Sequence, residues 1–317
     1  PGSFVNSPEW VNTPTYSWTK TDDATFSKTT ASISGLSTGT YTITATSCNT
    51  LTQSFTVGYT TNCIDYWIGG TDTDWNKPQN WSQNLRPASG QNVTFATSAN
   101  NSGAPAINDL ILDQDRTVGN LINNSTKKLI IPAGKSLMVN NTLTTSGGVN
   151  SILIQASSTI PNGTLIFAQP TLNTAVPATV EMYSKAYRGT GVVWSDDLHP
   201  VYPNNSYTTY YRWQYFGIPV QSVVANPTFY GSYVREYGES TNSGSFYQKW
   251  TNLTNSLVLT PFKGYEITQD AVKTISFSGN LVVGDKVLTL TVSGGYGSGY
   301  NIFSNSYTAA IDISKIE

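Results

Sequence analysis

The 317-residue sequence predicts an all-β protein made of modules in tandem. Three observations carry that expectation. Thr, Ser and Asn supply most of the polarity in place of Lys and Glu, and Thr suits a pleated surface while Ser and Asn suit turns. The 19 Tyr and 8 Trp add strand formers. No long run places apolar residues at i, i+3, i+4 and i+7, the signature of an amphipathic helix. Only 11% of residues are charged and the formal net charge is -2, so no basic stripe exists to track a phosphate backbone. No apolar run reaches the length of a membrane-spanning helix, so neither nucleic acid nor membrane insertion is expected. PGSFVNSPEW is not a signal peptide, so either a signal was removed or the chain starts inside a longer protein.

The first module is expected over residues 1–62. TYSWTK alternates, with Tyr16 and Trp18 on one face. ASISGL, GTYTITAT and QSFTVGY follow as further strands, with Tyr41, Ile43 and Ala45 sharing a face and Phe55 and Val57 another. A Trp on an early strand, then a Tyr opening a later one after a Gly turn, is the pattern of an immunoglobulin-like sandwich; a meander of another topology is the alternative. If the last two strands form a hairpin, Cys48 and Cys63 lie at opposite ends of it. That separation exceeds the Cα span of a disulfide and argues against a bridge.

The second module is expected over 63–177. It opens with WIGGTDTDWNKPQNWS, where Trp67, Trp75 and Trp81 crowd a turn-rich stretch. Then LILD, NLIN, KLIIP, SLMVN, SILIQA and TLIF recur as short apolar strands separated by Asn, Gly and Ser. Two or three such strands make one coil of a short right-handed β-solenoid, each coil burying its inward residues on its neighbours; another sandwich is the alternative. A stacked coil has an open end that needs covering. The three tryptophans precede the first coil, so they are expected to be a structural cap, with a sugar-stacking platform as the competing reading.

The third module, 178–317, is richer in aromatics. TVEMYSKAY, YTTYYRWQYFGIPV, FYQKW, GYEI, TISFSGNLVV, KVLTLTVSG and GYNIFSN read as longer alternating strands of a sandwich-like module. In YYRWQYF, Tyr211, Trp213 and Tyr215 fall on one face, with Tyr210, Arg212, Gln214 and Phe216 on the other. Aromatics on both faces usually mark a strand buried between layers. An exposed face would instead be a glycan-binding surface.

Residues 15 to 59 resemble the repeats of large Bacteroidota cell-surface adhesins, including those of gliding motility, on the tyrosine-tryptophan strand and GLSTGTYTITATSC. In those repeats two more strands precede the tryptophan strand. Here few residues precede Tyr16, and Pro8 and Pro14 are among them, so the module is expected to be truncated. The W-x-G…W…NW segment, matched by Trp67, Gly69, Trp75, Asn80 and Trp81 with Pro87 and NVTF after it, resembles the start of the β-solenoid in many secreted Bacteroidota proteins. GSGYNIFSNSYTAAID is similar to the G-x-N-L-I-x-N-P-Y segment of the same proteins, with Ser306 where proline is usual; further strands follow in relatives, so this module too is expected to be incomplete. The resemblance implies export by the type IX system and a place outside the cell or on the outer-membrane surface of a Gram-negative bacterium.

Chemistry is sparsely signalled. A β-helix lyase needs a base beside carboxylates, often with calcium. Asp109, Asp113, Asp115 and Arg116 in NDLILDQDR are the candidates, and Asp113 and Asp115 would share a strand face if the strand continued. A solvated coil edge explains them more simply. WSDDLHP offers Asp196, Asp197 and His199 without any nucleophile motif, so a loop histidine bonded to a neighbour is the simpler reading. Asp72 and Asp74 could share a calcium ion, but the glycine and distal glutamate of an EF-hand are missing. GGYGSGY lacks the Lys-Ser/Thr and helix of a phosphate loop and reads as a hairpin turn. The expectation is a non-catalytic adhesin or fibre segment, a stalk and binding scaffold, with no cofactor. Its partners would be a surface glycan or other surface ligand, copies of itself, or further domains of the same polypeptide. A carbohydrate-binding module of a polysaccharide-degrading enzyme and a β-helix lyase are the alternatives.

Overall fold

A computed structural model describes residues 13–58, 65–101, 104–188, 193–196, 199–201, 211–241, 246–295 and 298–316. The chain divides into two compact units, Pro1–Ile64 and Asp65–Glu317. It is all-β, and the second unit contains a parallel β-solenoid of about five turns.

In the first unit, Thr15–Lys20, Asp23–Lys28, Gly39–Thr46 and Thr50–Val57 form one antiparallel sheet. The spatial order puts Asp23–Lys28 at one edge and Thr50–Val57 at the other. ASISGL is not a regular strand; DATFSK is one instead, paired back on TYSWTK. The alternation holds where it was clearest, with Trp18, Tyr41, Ile43 and Ala45 buried. Tyr41 Oη donates to the carbonyl of Ser37 at 2.9 Å, the backward bond of a tyrosine corner. The last two strands do form a hairpin, with Thr46 opposite Thr50 and Gly39 opposite Val57. Its outer face explains the threonine content: hydroxyls meet across the strands at Thr42–Ser54 (2.8 Å), Thr40–Thr56 (3.1 Å) and Thr44–Thr52 (3.2 Å). Cys63, and with it any Cys48–Cys63 pairing, lies outside the described residues.

Three sheets build the solenoid. Leu110–Ile111, Leu129–Ile131, Ile152–Ile154 and Pro177–Ser184 stack in parallel in the first. Arg116–Val118, Ser136–Val139 and Thr164–Phe167 form the second. Asp65–Trp67, Val93–Phe95, Leu121–Asn123 and Leu143–Thr145 form the third. Register brings like residues into inward files: Leu110 below Leu129 below Ile152, and Val93 below Leu121 below Leu143, all buried. The asparagines between the strands tie coil to coil. Asn92 Oδ1 accepts from the Asn120 N–H, Asn120 Oδ1 from Thr142 N–H, and Asn173 Oδ1 from Leu143 N–H. Parallel coils leave corner amides without partners, and a short amide side chain supplies them.

The expected boundary at 177/178 falls inside one compact unit. Pro177–Ser184 is both the last parallel strand of the first sheet and, along its whole length, the antiparallel partner of Lys273–Asn280. That change of direction ends the solenoid, and Ile275 and Phe277 continue its core into a cluster with Phe216, Phe229 and Tyr265. Beyond it, Gln214–Phe216, Tyr265–Gln269, Ser232–Tyr237 and Trp250–Asn252 make a four-stranded antiparallel sheet. KVLTLTVSG and GYNIFSN, expected as strands, join no ladder beyond an isolated bridge between Phe303 and Lys263.

Candidate functional site

The tryptophan-rich segment sits at the start of the solenoid, where Asp65–Trp67 is the outermost strand of the third sheet. Trp67, Trp75 and Trp81 are 0%, 1% and 0% exposed, so none presents a ring face to solvent. Their rings meet edge to face, Trp67 to Trp81 at 5.2 Å and Trp75 to Trp81 at 4.9 Å. Trp67 Nε1 donates to Asn108 O at 2.9 Å and Trp81 Nε1 to Trp75 O at 2.8 Å. Asn80, wholly buried, organises the turn beneath them: its Oδ1 accepts from Thr71 N, Thr71 Oγ1 and Asp72 N, and its Nδ2 donates to Asp72 Oδ1 and Asp74 O. Gly69 has φ +56°, and a Cβ there would lie 2.9 Å from Asn108 Cβ. The fixed spacing of Trp, Gly and Asn therefore reflects one closely packed loop. Asp74 forms a parallel bridge with Ile111, so the same loop lies along the edge of the first sheet.

Asp72 and Asp74 do not converge on a common point. Asp72 Oδ1 accepts from Asp74 N and Asn80 Nδ2, and Oδ2 pairs with the Lys77 ammonium. Lys77, then the Asp74 and Asn80 donors, hold the Asp72 carboxyl down at about 2. Asp74 Oδ1 caps the N–H of Asn76. The position a calcium ion would take beside Asp72 already holds a cation.

The lyase candidates separate as well. The strand ends at Ile111, so Asp113 and Asp115 share no strand face. Asp109 accepts from Lys128 N at 2.8 Å and Asp115 from Ser136 N at 2.7 Å, each bonding the backbone of the next coil. Asp113 takes Arg116 with both oxygens at 2.8 Å, and Asn76 joins them. WSDDLHP is not a loop: Val193–Asp196 and His199–Val201 pair antiparallel, with Asp196 opposite His199. Asp197 and the side chains of Asp196 and His199 lie outside the described residues.

The aromatic strand is the one place where candidate side chains meet partners that the sequence reading had not singled out. Tyr211–Arg212 pairs with Tyr187–Arg188; the Tyr211 side chain lies outside the described residues. Phe216 is buried in the core and Tyr215 is 63% exposed, as alternation requires. Register sets Tyr215, Glu266, Arg235 and Asn252 in one row across the outer face. The Arg235 guanidinium lies 4.2 Å from the Trp213 ring centre and 5.6 Å from that of Trp250, and pairs with Glu266. Burial pushes the Glu266 carboxyl above its ordinary range, and Arg235 opposes this. Tyr215 leans on Trp250 at 6.0 Å. Period-2 reading of SYVREY and GYEITQ could have put Arg235 and Glu266 on outer faces; which strands they would neighbour was not legible.

Among the described residues no cluster of three or more His, Cys, Asp or Glu could hold a metal ion. No helix among them is long and apolar enough to cross a membrane. No family model matches the chain, and no solved structure matches it. The chain is similar to minor fimbrium subunit Mfa5 of Porphyromonas gingivalis, a member of the Bacteroidota, with 35% identity over 269 residues. The match covers 80% of this chain and 20% of that protein, so the chain spans about a fifth of the curated relative's length.

Proposed function

We propose that the chain is a non-catalytic segment of a cell-surface fibre or adhesin, serving as stalk and binding scaffold outside the cell of a Gram-negative bacterium. The observation that carries this reading is the 35% identity with a fimbrium subunit over most of the chain. The architecture is consistent with it. Coil upon coil shares one apolar core from Trp67 to Leu281, and the acids considered for catalysis are spent on backbone amides or ion pairs. The role needs no cofactor, and it fits further domains of the same polypeptide or other subunits as partners. Type IX export follows from the adhesin resemblance. The test is surface labelling in the source organism. An epitope inserted in this segment should be accessible to antibody and shaved by external protease on intact cells. Protection from both, with the protein retained inside, would overturn the reading.

A second reading is favoured by one feature. Tyr215 is exposed beside Trp250 and the Arg235–Glu266 pair, a combination that can stack on a sugar ring and bond its hydroxyls. Under this reading Trp213 and Tyr215 contribute to glycan binding. A glycan array would show a saccharide lost on Tyr215→Ala; an unchanged profile would leave the face purely structural.

A further inference from the structure

KVLTLTVS, residues 286–293, has strong β character and period-2 alternation, yet it is not part of a ladder. Val287, Leu290 and Val292 are 90%, 64% and 81% exposed, and Leu288 is exposed too. Among the described residues no backbone hydrogen bond reaches Lys286 to Leu290. The segment is nonetheless held at both ends. Tyr307 Oη donates to Gly284 O at 2.7 Å. Glu239 Oε1 accepts from Ser293 N at 2.8 Å and from Gly299 N at 2.9 Å. Asn301 accepts from Thr291 N and donates to Thr291 O, offering with its side-chain amide the two bonds that a neighbouring strand would make. A groove of about 280 Å³ lies beside the segment, with Leu288, Leu290 and Phe303 in its walls. A monomer seldom leaves so much contiguous apolar surface, or a tethered unpaired strand, facing water.

We propose that residues 286–292 are a docking strand for a second copy of this chain, the two segments pairing antiparallel across a twofold axis. An extended segment is self-complementary under a twofold: whatever it lacks, its copy supplies in the same form. Centring the axis near Thr289 sets Leu288 of one copy opposite Leu290 of the other. It lays the Lys286 stem against Val292 and brings no like charges face to face. Main-chain bonds would satisfy the open amides of Lys286 to Leu290, and Leu288 and Leu290 would be covered with the groove. A net charge of -2 gives little repulsion between copies. The proposal deepens the fibre reading and can fail separately, since a monomer displayed at the surface would overturn the docking alone.

The experiment is sedimentation velocity of the whole chain across a wide concentration range, with hydrogen exchange read by mass spectrometry. Wild type should pass from monomer to dimer, and the amides of residues 286–290 should gain protection only in the dimer. Leu290→Lys and Val292→Lys lie on the exposed segment and set like charges near each other across the axis. Each should weaken association by about tenfold or more while leaving monomer unfolding unchanged. A wild type that stays monomeric, forms open polymers, or dimerises with residues 286–290 still exchanging freely would overturn the proposal. So would dimerisation unaffected by both variants.

Discussion

The Arg116 guanidinium lies 5.3 Å from the centre of the Trp75 ring, at the end of the solenoid core. Register explains why an arginine stands there. Arg116 pairs with Leu137, which pairs with Leu165, so the three share one inward file. Leu137 and Leu165 have coils stacked around them, whereas Arg116 meets the tryptophan loop. Its stem covers the file while its head pairs with Asp113 and faces the ring. A residue considered for catalysis thus joins the terminal loop to the first coil.

Arg116→Ala should therefore destabilise the fold by on the order of 3 kcal/mol, because it strands the Asp113 carboxylate as well as removing the ring contact. Arg116→Leu combined with Asp113→Asn should recover most of the loss, since leucine continues the file. Urea unfolding would measure both. Wild type and Arg116→Ala alike should show only background cleavage of uronic-acid polymers, with or without calcium; cleavage lost in the variant would revive the lyase reading.

Trp75→Ala and Trp81→Ala should each cost about 3–5 kcal/mol, the range for large buried aromatics. Both rings are enclosed, so relaxation can refill little of the space. Near-wild-type melting with lost glycan binding would assign these rings to a ligand instead.

Asn80→Asp tests the turn beneath them. The substitution replaces two N–H donors with a carboxylate facing Asp72 Oδ1, now 2.7 Å from Nδ2, and Asp74 O. A loss on the order of 3 kcal/mol is expected near neutral pH, shrinking as acid protonates the new carboxyl. A pH-independent loss would point to shape alone.

Asp65 adds a pH dependence of opposite kind. It is buried in the outermost strand of the third sheet, in register with Val93, and burial raises its carboxyl to about 6, against the Ser82 and Tyr66 hydrogen bonds. A raised acid binds its proton more tightly when folded. Its contribution is therefore fully present below about 4 and is lost as pH rises through about 6. Asp65→Asn should thus gain stability relative to wild type across that interval and hold the gain above it. Parallel unfolding curves for the two proteins from pH 4 to 8 would show the carboxyl to be solvated.

The sequence by itself determined the all-β class, the solenoid texture and the tryptophan loop. These depend on local rules: period-2 alternation, asparagine corners, and a spacing of Trp, Gly and Asn that one loop must satisfy within a few residues. Trp18, Tyr41 and Phe216 were legible as inward residues for the same reason. Only the tertiary structure decided what depends on neighbours distant in the chain. Asp109 and Asp115 serve backbone amides of the next coil, and Arg235 meets Glu266 and Trp213 because strands far apart in sequence lie side by side. Lys273–Asn280 runs antiparallel to Pro177–Ser184 and so ends the parallel stack. KVLTLTVS marks the limit most clearly: alternation states that a segment can be a strand, while a ladder needs a second backbone, and the chain places none beside it.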